Sequence, residues 1–222
     1  KQFLAVLNDV VADPSPVNYG DLPAETAASA TARLPEARKS ALEAAFRQGY
    51  DNDHDGWGDV QKFIDAQAME YALTLAKRGD KDAERMARQT FAQSFHLIDP
   101  AWGGVYQYST DQDWKHPHFE KLGRLQAEYL ATWANASLIF PDGGYRESAA
   151  AVKRYIDNFL SADDGGFYVS QDADLRPGEH SGEYFALDDA GRRKQGVPRV
   201  DRHEYSREAG LTIEGLVAWF DA

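Results

Sequence analysis

Three loops that join glycine to aromatic rings constrain this chain more than any other feature. They are Asp55-Gly56-Trp57-Gly58, Trp102-Gly103-Gly104-Val105-Tyr106 and Asp164-Gly165-Gly166-Phe167-Tyr168. Each stretch between one loop and the next has room for two helices, a weak self-similarity on the scale of a helix hairpin. In an antiparallel array every second connection falls on the same face, so the three loops are expected to meet on one rim. Paired glycines let backbone and rings crowd there with no Cβ in the way.

Between the loops, apolar residues recur at spacings of three and four. A helix is expected from Pro35, a favoured first position, to about Gly49. Segments 61–78 and 80–98 read as a helix pair, with Gly79 as stop and Asp80 as cap. The second of the pair should bury Met86, Thr90, Phe91, Ser94 and Ile98. A longer helix is expected from Pro117 to Phe140, stopped by Pro141, then one over 145–161 and a last over 207–220. In segment 1–12, Phe3, Leu4, Leu7, Val10 and Val11 share a helical face; segment 13–31, with Pro14, Pro16, Pro23 and Gly20, has the composition of a linker. The period changes after Gly165. Phe167, Val169 and Gln171 alternate with Tyr168, Ser170 and Asp172, and a second alternating run, 183–187, ends at the turn sequence 188–191. The expected fold is mainly α: a partial (α/α) toroid of antiparallel helix hairpins with a small β-hairpin near 165–187.

Composition removes whole classes of function. The 222 residues carry 36 acidic against 24 basic side chains, a net charge of -12. Such a surface repels phosphate backbones and anionic lipids, so neither nucleic acid nor a membrane is expected as a partner. No apolar run approaches the ~20 residues that span a bilayer. Cysteine is absent, which rules out disulfides, thiolate metal sites and a cysteine nucleophile within the chain. The first twelve residues, with Asn8 and Asp9 and no small-residue cleavage site, do not read as a signal peptide. A soluble protein is expected, with the cytoplasm placed ahead of the periplasm.

Three clusters could carry chemistry. Asp51, Asp53 and Asp55 alternate ahead of Gly56, and Asp59 falls at the ninth position, as in the first half of a calcium loop. Lys62 stands where the bidentate glutamate belongs, so the choices are a weak, non-EF calcium site and a solvated acidic turn. No other cofactor is expected. The segment Trp114-Lys115-His116-Pro117-His118-Phe119-Glu120-Lys121 is densest in functional groups. An extended chain would put His116, His118 and Glu120 on one face, a spacing that could hold a metal. A helix beginning at Pro117 is preferred, and it would leave His118 at the positive end of the dipole, neutral and able to accept a proton. Asp172 and Asp174 close the strand-period run and read either as an acid/base pair or as a polar turn. Glu183 adds a carboxylate on the proposed return strand.

The same residues resemble a known family. Asp55–Gly58 followed by Lys62-Phe63 resembles a "GGFG…KF" block. Gly103–Tyr106 with Tyr108-Ser109, Asp111, Trp114 and His116–Lys121 resembles "GG…RYS.D..W..PHFEK". Gly165–Tyr168 with 170–174 and 182–185 resembles "GGFY.S.DAD…EG.YY". In this order they are similar to the thioredoxin-domain-containing family that includes spermatogenesis-associated thioredoxin-like proteins. The Pro-His-Phe-Glu-Lys segment is the specific part. The resemblance implies a thioredoxin-like domain followed by a six-hairpin toroid similar to glycosidases and N-acylglucosamine 2-epimerase. It makes residues 1–12 the end of the thioredoxin-like domain and 32–222 the toroid-like domain. The sequence departs from the family pattern at Val60-Gln61, at Ile64 and at Leu122-Gly123-Arg124. About seven helices are legible where a closed toroid has twelve, hence a partial one.

The resulting expectation is a carbohydrate-active or carbohydrate-binding module, with epimerase-like proton transfer as its chemistry. His118, Glu120, Asp172 and Asp174 are the candidate catalytic groups. Trp57, Tyr106, Tyr108, Trp114 and Tyr168 are the rings expected to stack on sugar faces, beside Glu183. The alternative is a non-catalytic scaffold that presents clients to an upstream thioredoxin-like domain. Asp172 and Asp174 separate the two: they converge on a deep pocket in the first and cap backbone in the second.

Overall fold

The computed structural model describes residues 2–13, 33–58, 60–176, 178 and 181–222. The segment read as a linker lies outside these apart from Asp13, as does Asp59. The chain divides into two compact units, Lys1–Glu43 and Ala44–Ala222. In the first, helix α1 (Gln2–Ala12) exposes Phe3, Leu4, Leu7, Val10 and Val11. Helix α2 (Glu36–Gln48) starts directly after Pro35 and runs across the division.

The second unit is built on helices α3 (Ala66–Lys77), α4 (Lys81–Ser94), α5 (Gly123–Ile139), α6 (Tyr145–Tyr155) and α9 (Ser206–Asp221). Local chemistry sets their ends. Asp65 caps α3 by accepting from the Ala68 amide, and Asp80 caps α4 through the Asp82 and Ala83 amides. Gly79, at φ +95°, lets the chain turn between them. Met86, Thr90, Phe91 and Ser94 are buried along α4, as their spacing requires. Helix α5 is the centre: α6 and α9 pack on it, and its Leu125, Tyr129, Leu130 and Trp133 are buried on several sides. Small residues allow the close crossing with α9, where a Cβ at Gly215 would stand 2.8 Å from the Ala127 carbonyl oxygen.

The three glycine loops share one construction. A residue just past a helix or turn pairs with the residue that follows the glycines: Tyr50 with Trp57, Ile98 with Val105, Ser161 with Phe167. The next amide then bonds back to a glycine carbonyl: Asp51 to Gly56, Asp99 to Gly104, Ala162 to Gly166. In the first two a lysine clasps the loop. Lys62 donates to Asp51 and the Gly58 carbonyl, both at 2.7 Å; Lys121 donates to Asp99 at 2.6 Å and the Gly103 carbonyl at 2.8 Å. The third loop has Ala162 at the aspartate position. Lys62 also bridges to Ser109, and Lys121 pairs with Gln171, so each loop is stitched to the next along one rim.

Two local expectations are corrected. No helix begins at Pro117. Strand β1 (Tyr108–Ser109) pairs antiparallel with β2 (Pro117–His118), and β3 (Lys121–Leu122) follows before α5 opens at Gly123. Proline at the edge of a two-strand ladder loses no needed hydrogen bond, and the extended pairing outweighs its preference for a helix start. The hairpin near 165–187 has no return strand either. Strand β4 (Ser170–Gln171) lies between β3 and β5 (Val200–Asp201), while 182–185 forms a short helix, α7 (Gly182–Phe185). The turn expected at 188–191 is the start of helix α8 (Asp189–Gln195), capped by Asp188.

Candidate functional site

The β1–β2 hairpin holds the functional-group cluster. Its loop is pinned by Trp114, which is fully buried, has φ +65°, and donates its indole N–H to the His54 carbonyl at 2.9 Å. The hairpin register sets Tyr108 opposite His118, and their rings stack at 5.2 Å and 19°. His118 Nε2 lies 3.8 Å from a Glu120 oxygen. A cavity of about 480 Å³ opens beside this hairpin. It is lined by Lys115, His116, His118 and Phe119 from the hairpin segment and by Asp174 and Ser181 from a separate segment.

The structure therefore brings His118 and Asp174 to one cavity, with Glu120 and Tyr108 against His118. It does not bring the rest there. Asp172 accepts from the Asp174 amide at 3.1 Å, and Asp174 accepts from the Gly178 amide at 3.3 Å and the Ser181 hydroxyl at 3.2 Å. Both carboxylates thus fasten a turn. Glu183 sits on α7 rather than on a strand. Trp57, Tyr106 and Trp114 are buried in the core, so their rings are interior packing and not open sugar platforms. Tyr168 is half-buried, with Arg202 5.6 Å over its ring. His118 lies in strand β2 and not in the first turn of a helix.

The metal expectations lose their geometry. The segment 116–120 is extended, yet His116 turns to Asp113 at 3.0 Å and Asp111 at 3.3 Å while His118 meets Glu120. Asp51, Asp53 and Asp55 do not converge. Asp55 accepts from Tyr50 and Gln93, Asp53 points to solvent, and Asp51 is held by Lys62. Burial alone would raise the Asp51 pKa, but hydrogen bonds from Lys62 and from the His54 and Asp53 amides outweigh it and bring it down to about 2. Lys62 places its ammonium on the Asp51 carboxylate. Among the described residues no group of three or more His, Asp or Glu side chains is placed to hold a metal ion.

Sequence reasoning missed a buried cluster of charge. Asp99, Lys121 and Arg192 are all buried, at 0–1% exposure. Arg192 grips Asp99 with both nitrogens of its fork, at 2.6 and 2.9 Å. It also donates to the Phe185 carbonyl and, at 3.0 Å, to the Leu187 carbonyl. One carboxylate thus serves two cations. Aromatic faces help accommodate the excess charge: Tyr155 lies 4.2 Å from Lys121 Nζ, and Trp102 4.9 Å from the guanidinium. Burial would raise the Asp99 pKa, but the Lys121 charge and the Arg192 and Lys121 hydrogen bonds hold it below the usual range. Burial pushes Lys121 down to about 8 despite Asp99. The Lys121 half was in view as the end of the Pro-His-Phe-Glu-Lys segment. Arg192, in the run Arg192-Arg193-Lys194, reads as solvated charge.

The Lys121 shift has a testable sign. An unfolded lysine keeps its proton up to the ordinary value of 10.5, so between pH 8 and 10 the unfolded chain binds more protons than the folded one. Stability contributed at this site should therefore rise with pH across that window. Melting midpoints at pH 7, 8, 9 and 10 check it. Lys121→Met should flatten the rise, and an identical profile in that variant would assign the effect elsewhere.

Helix hairpins packed on α5, with the glycine loops linked in series by small antiparallel ladders, define a partial (α/α) toroid. Cellobiose 2-epimerase from Spirochaeta thermophila superposes with a TM-score of 0.60 at 13% identity, over 84% of this chain and 49% of that one. The cellobiose 2-epimerase of Bacillus thermoamylovorans gives 0.59 at 9% identity, over 82% of this chain and 49% of that one. At those identities the likeness is one of fold. No family profile matches the chain. Spermatogenesis-associated protein 20 of Homo sapiens is 30% identical over 155 residues, covering 65% of this chain and 20% of the relative; the Mus musculus protein matches to the same extent. The chain is thus related to the proteins its glycine blocks and Pro-His-Phe-Glu-Lys segment resemble. It spans 20% of the length of those curated relatives and just under half that of the solved epimerases. Among the described residues, no helix is long and apolar enough to cross a membrane.

Proposed function

We propose that the chain is a carbohydrate-binding module on a sugar-epimerase-type fold, and that its ligand enters the cavity lined by the β1–β2 hairpin together with Asp174, Ser181 and Gly182. The observation that carries this reading is the meeting of His118 and Asp174 across one open cavity. Neutral sugars fit its chemistry: imidazole, hydroxyl and carboxylate groups exchange hydrogen bonds with ring hydroxyls, and the Phe119 face receives C–H patches. At about 480 Å³ the cavity has room for one or two sugar rings. Any proton transfer would run through His118, with Glu120 beside it as positioning partner; an imidazole within hydrogen-bond reach of the C2 proton, α to the carbonyl of the ring-opened sugar, is a suitable general base. Binding is placed ahead of catalysis because Asp172 and Asp174 are engaged in their turn.

That same engagement favours the second reading, a scaffold that presents clients to a thioredoxin-like domain. Calorimetry with cellobiose and with neutral hexoses distinguishes them. Wild-type protein should bind at least one with millimolar affinity. His118→Gln should weaken binding at least tenfold, equivalent to ~1.4 kcal/mol, with a melting midpoint close to wild type, since the side chain is 40% exposed. Deuterium incorporated at C2 of a reducing sugar in heavy water, lost in His118→Gln, would add catalysis. No binding to any of these sugars leaves the scaffold reading.

A further inference from the structure

We infer that Arg192 is a positioning residue of the proposed sugar cavity: with Asp99 it clamps the cavity's two walls against each other without touching the ligand. The inference rests on the reading above for what the cavity holds, but the clamp is argued from geometry. One wall is the segment Pro117–Phe119, which continues in two residues to the buried Lys121. The other begins at Ser181 and enters α7, whose last residue, Phe185, and the following Leu187 both give their carbonyls to Arg192. Asp99 joins the halves, accepting Lys121 on one oxygen and the two guanidinium nitrogens across both. Directly over this junction Phe119 and Phe185 stack at 4.5 Å and 7°, and Tyr106 meets both rings edge-on.

The molecule contains its own comparison. The Asp51–Lys62 clasp of the first glycine loop repeats the Asp99–Lys121 clasp of the second: aspartate just past the bridge residue, lysine downstream, and a second bond from the lysine to a glycine carbonyl of the loop. An aspartate–lysine clasp on such a loop therefore forms without an arginine, as the first loop shows. The arginine is present at the second clasp, and its carbonyl partners lie at and just past the end of α7, the helix that opens at the cavity-lining Gly182. A buried guanidinium with a bidentate carboxylate and two fixed carbonyls has little freedom, which is what a wall-to-wall spacer needs.

Two measurements test this on the full chain. The first reads the walls without ligand, as nuclear Overhauser contacts and ring-current shifts between Phe119 and Phe185. These should weaken in Arg192→Met and be partly restored in Arg192→Lys, while Asp51→Asn, which loosens the other clasp, leaves them unchanged. The second reads cellobiose binding by calorimetry. Arg192→Met should lose tenfold or more in affinity, with Arg192→Lys intermediate and Asp51→Asn at the wild-type value. Unchanged Phe119–Phe185 contacts in a folded Arg192→Met overturn the clamp. So does unchanged affinity where the wild type binds. Failure of both Arg192 variants to fold while Asp51→Asn folds makes Arg192 a general fold residue and also overturns it. If the wild type binds no sugar, the carbohydrate reading fails, and the ring contacts still decide the clamp.

Discussion

Asp99→Ala is expected to destabilise the fold by about 3–5 kcal/mol, the range found when one partner of a buried ion pair is removed. The variant leaves an ammonium and a guanidinium facing each other with no carboxylate between them, both at 0% exposure. Neither can recover water without opening the aromatic cluster of Trp102, Tyr106, Tyr155 and Phe185. A domain of this size has only about 5–15 kcal/mol in total, so much of the population should unfold at moderate temperature. Asp51→Ala is the matched control and should lose less: it strands one buried ammonium instead of two cations, and the vacated carboxylate site, 18% exposed, admits water. Urea unfolding of both variants checks the prediction. A loss below ~1 kcal/mol for Asp99→Ala would show that the trio behaves like a surface pair.

The second large effect is expected at the paired glycines of the middle loop. A Cβ at Gly103 would lie 2.2 Å from the Ala151 carbonyl oxygen, and one at Gly104 would lie 2.5 Å from Cγ of Tyr155. Both residues have positive φ, +74° and +71°. Alanine at either site should cost about 2–5 kcal/mol, combining left-handed backbone strain with overpacking against atoms that have no room to retreat. Gly103 is the harder case because its obstacle is backbone. Gly165 separates the two contributions. Its φ is +90° but nothing stands within 4 Å of the added carbon, so Gly165→Ala should show the backbone part alone, roughly 1–2 kcal/mol. Equal losses at Gly103 and Gly165 would mean that crowding adds nothing.

Elements whose signals are local were legible. Gly79 and Asp80 end one helix and start the next because an αL glycine and a carboxylate cap act within a few residues of themselves. The apolar spacing of α4 names its buried face for the same reason. The recurrence of the glycine-aromatic loops pointed to a hairpin array, and all three loops share the same bridge and the same amide-to-glycine bond. Pro117 misled because its preference for a helix start is weaker than antiparallel pairing with Ser109, eight residues earlier in the same hairpin, which no alternating run announces. The return strand at 183–187 failed likewise, since a short alternating run has no period long enough to separate a strand from one turn of helix.

The candidate site divides along the same line. His118, Glu120 and Asp174 were visible as functional groups in dense segments, but only the fold places His118 opposite Asp174 and turns Asp172 into a cap. Trp57, Tyr106 and Trp114 have the composition of a sugar platform, and tertiary packing buries all three. Arg192 carries no local mark. Its partner Asp99 is 93 residues away, and a charged side chain in a basic run is read as solvated unless its anion is known. What the sequence by itself determined is therefore the helical array, its punctuation and the family it resembles, because periodicity, capping and turn chemistry act over short spans. Only the tertiary structure decided which charges are buried, which rings face inward and which residues share a cavity, because burial and ion pairing depend on groups that the chain brings together from far apart.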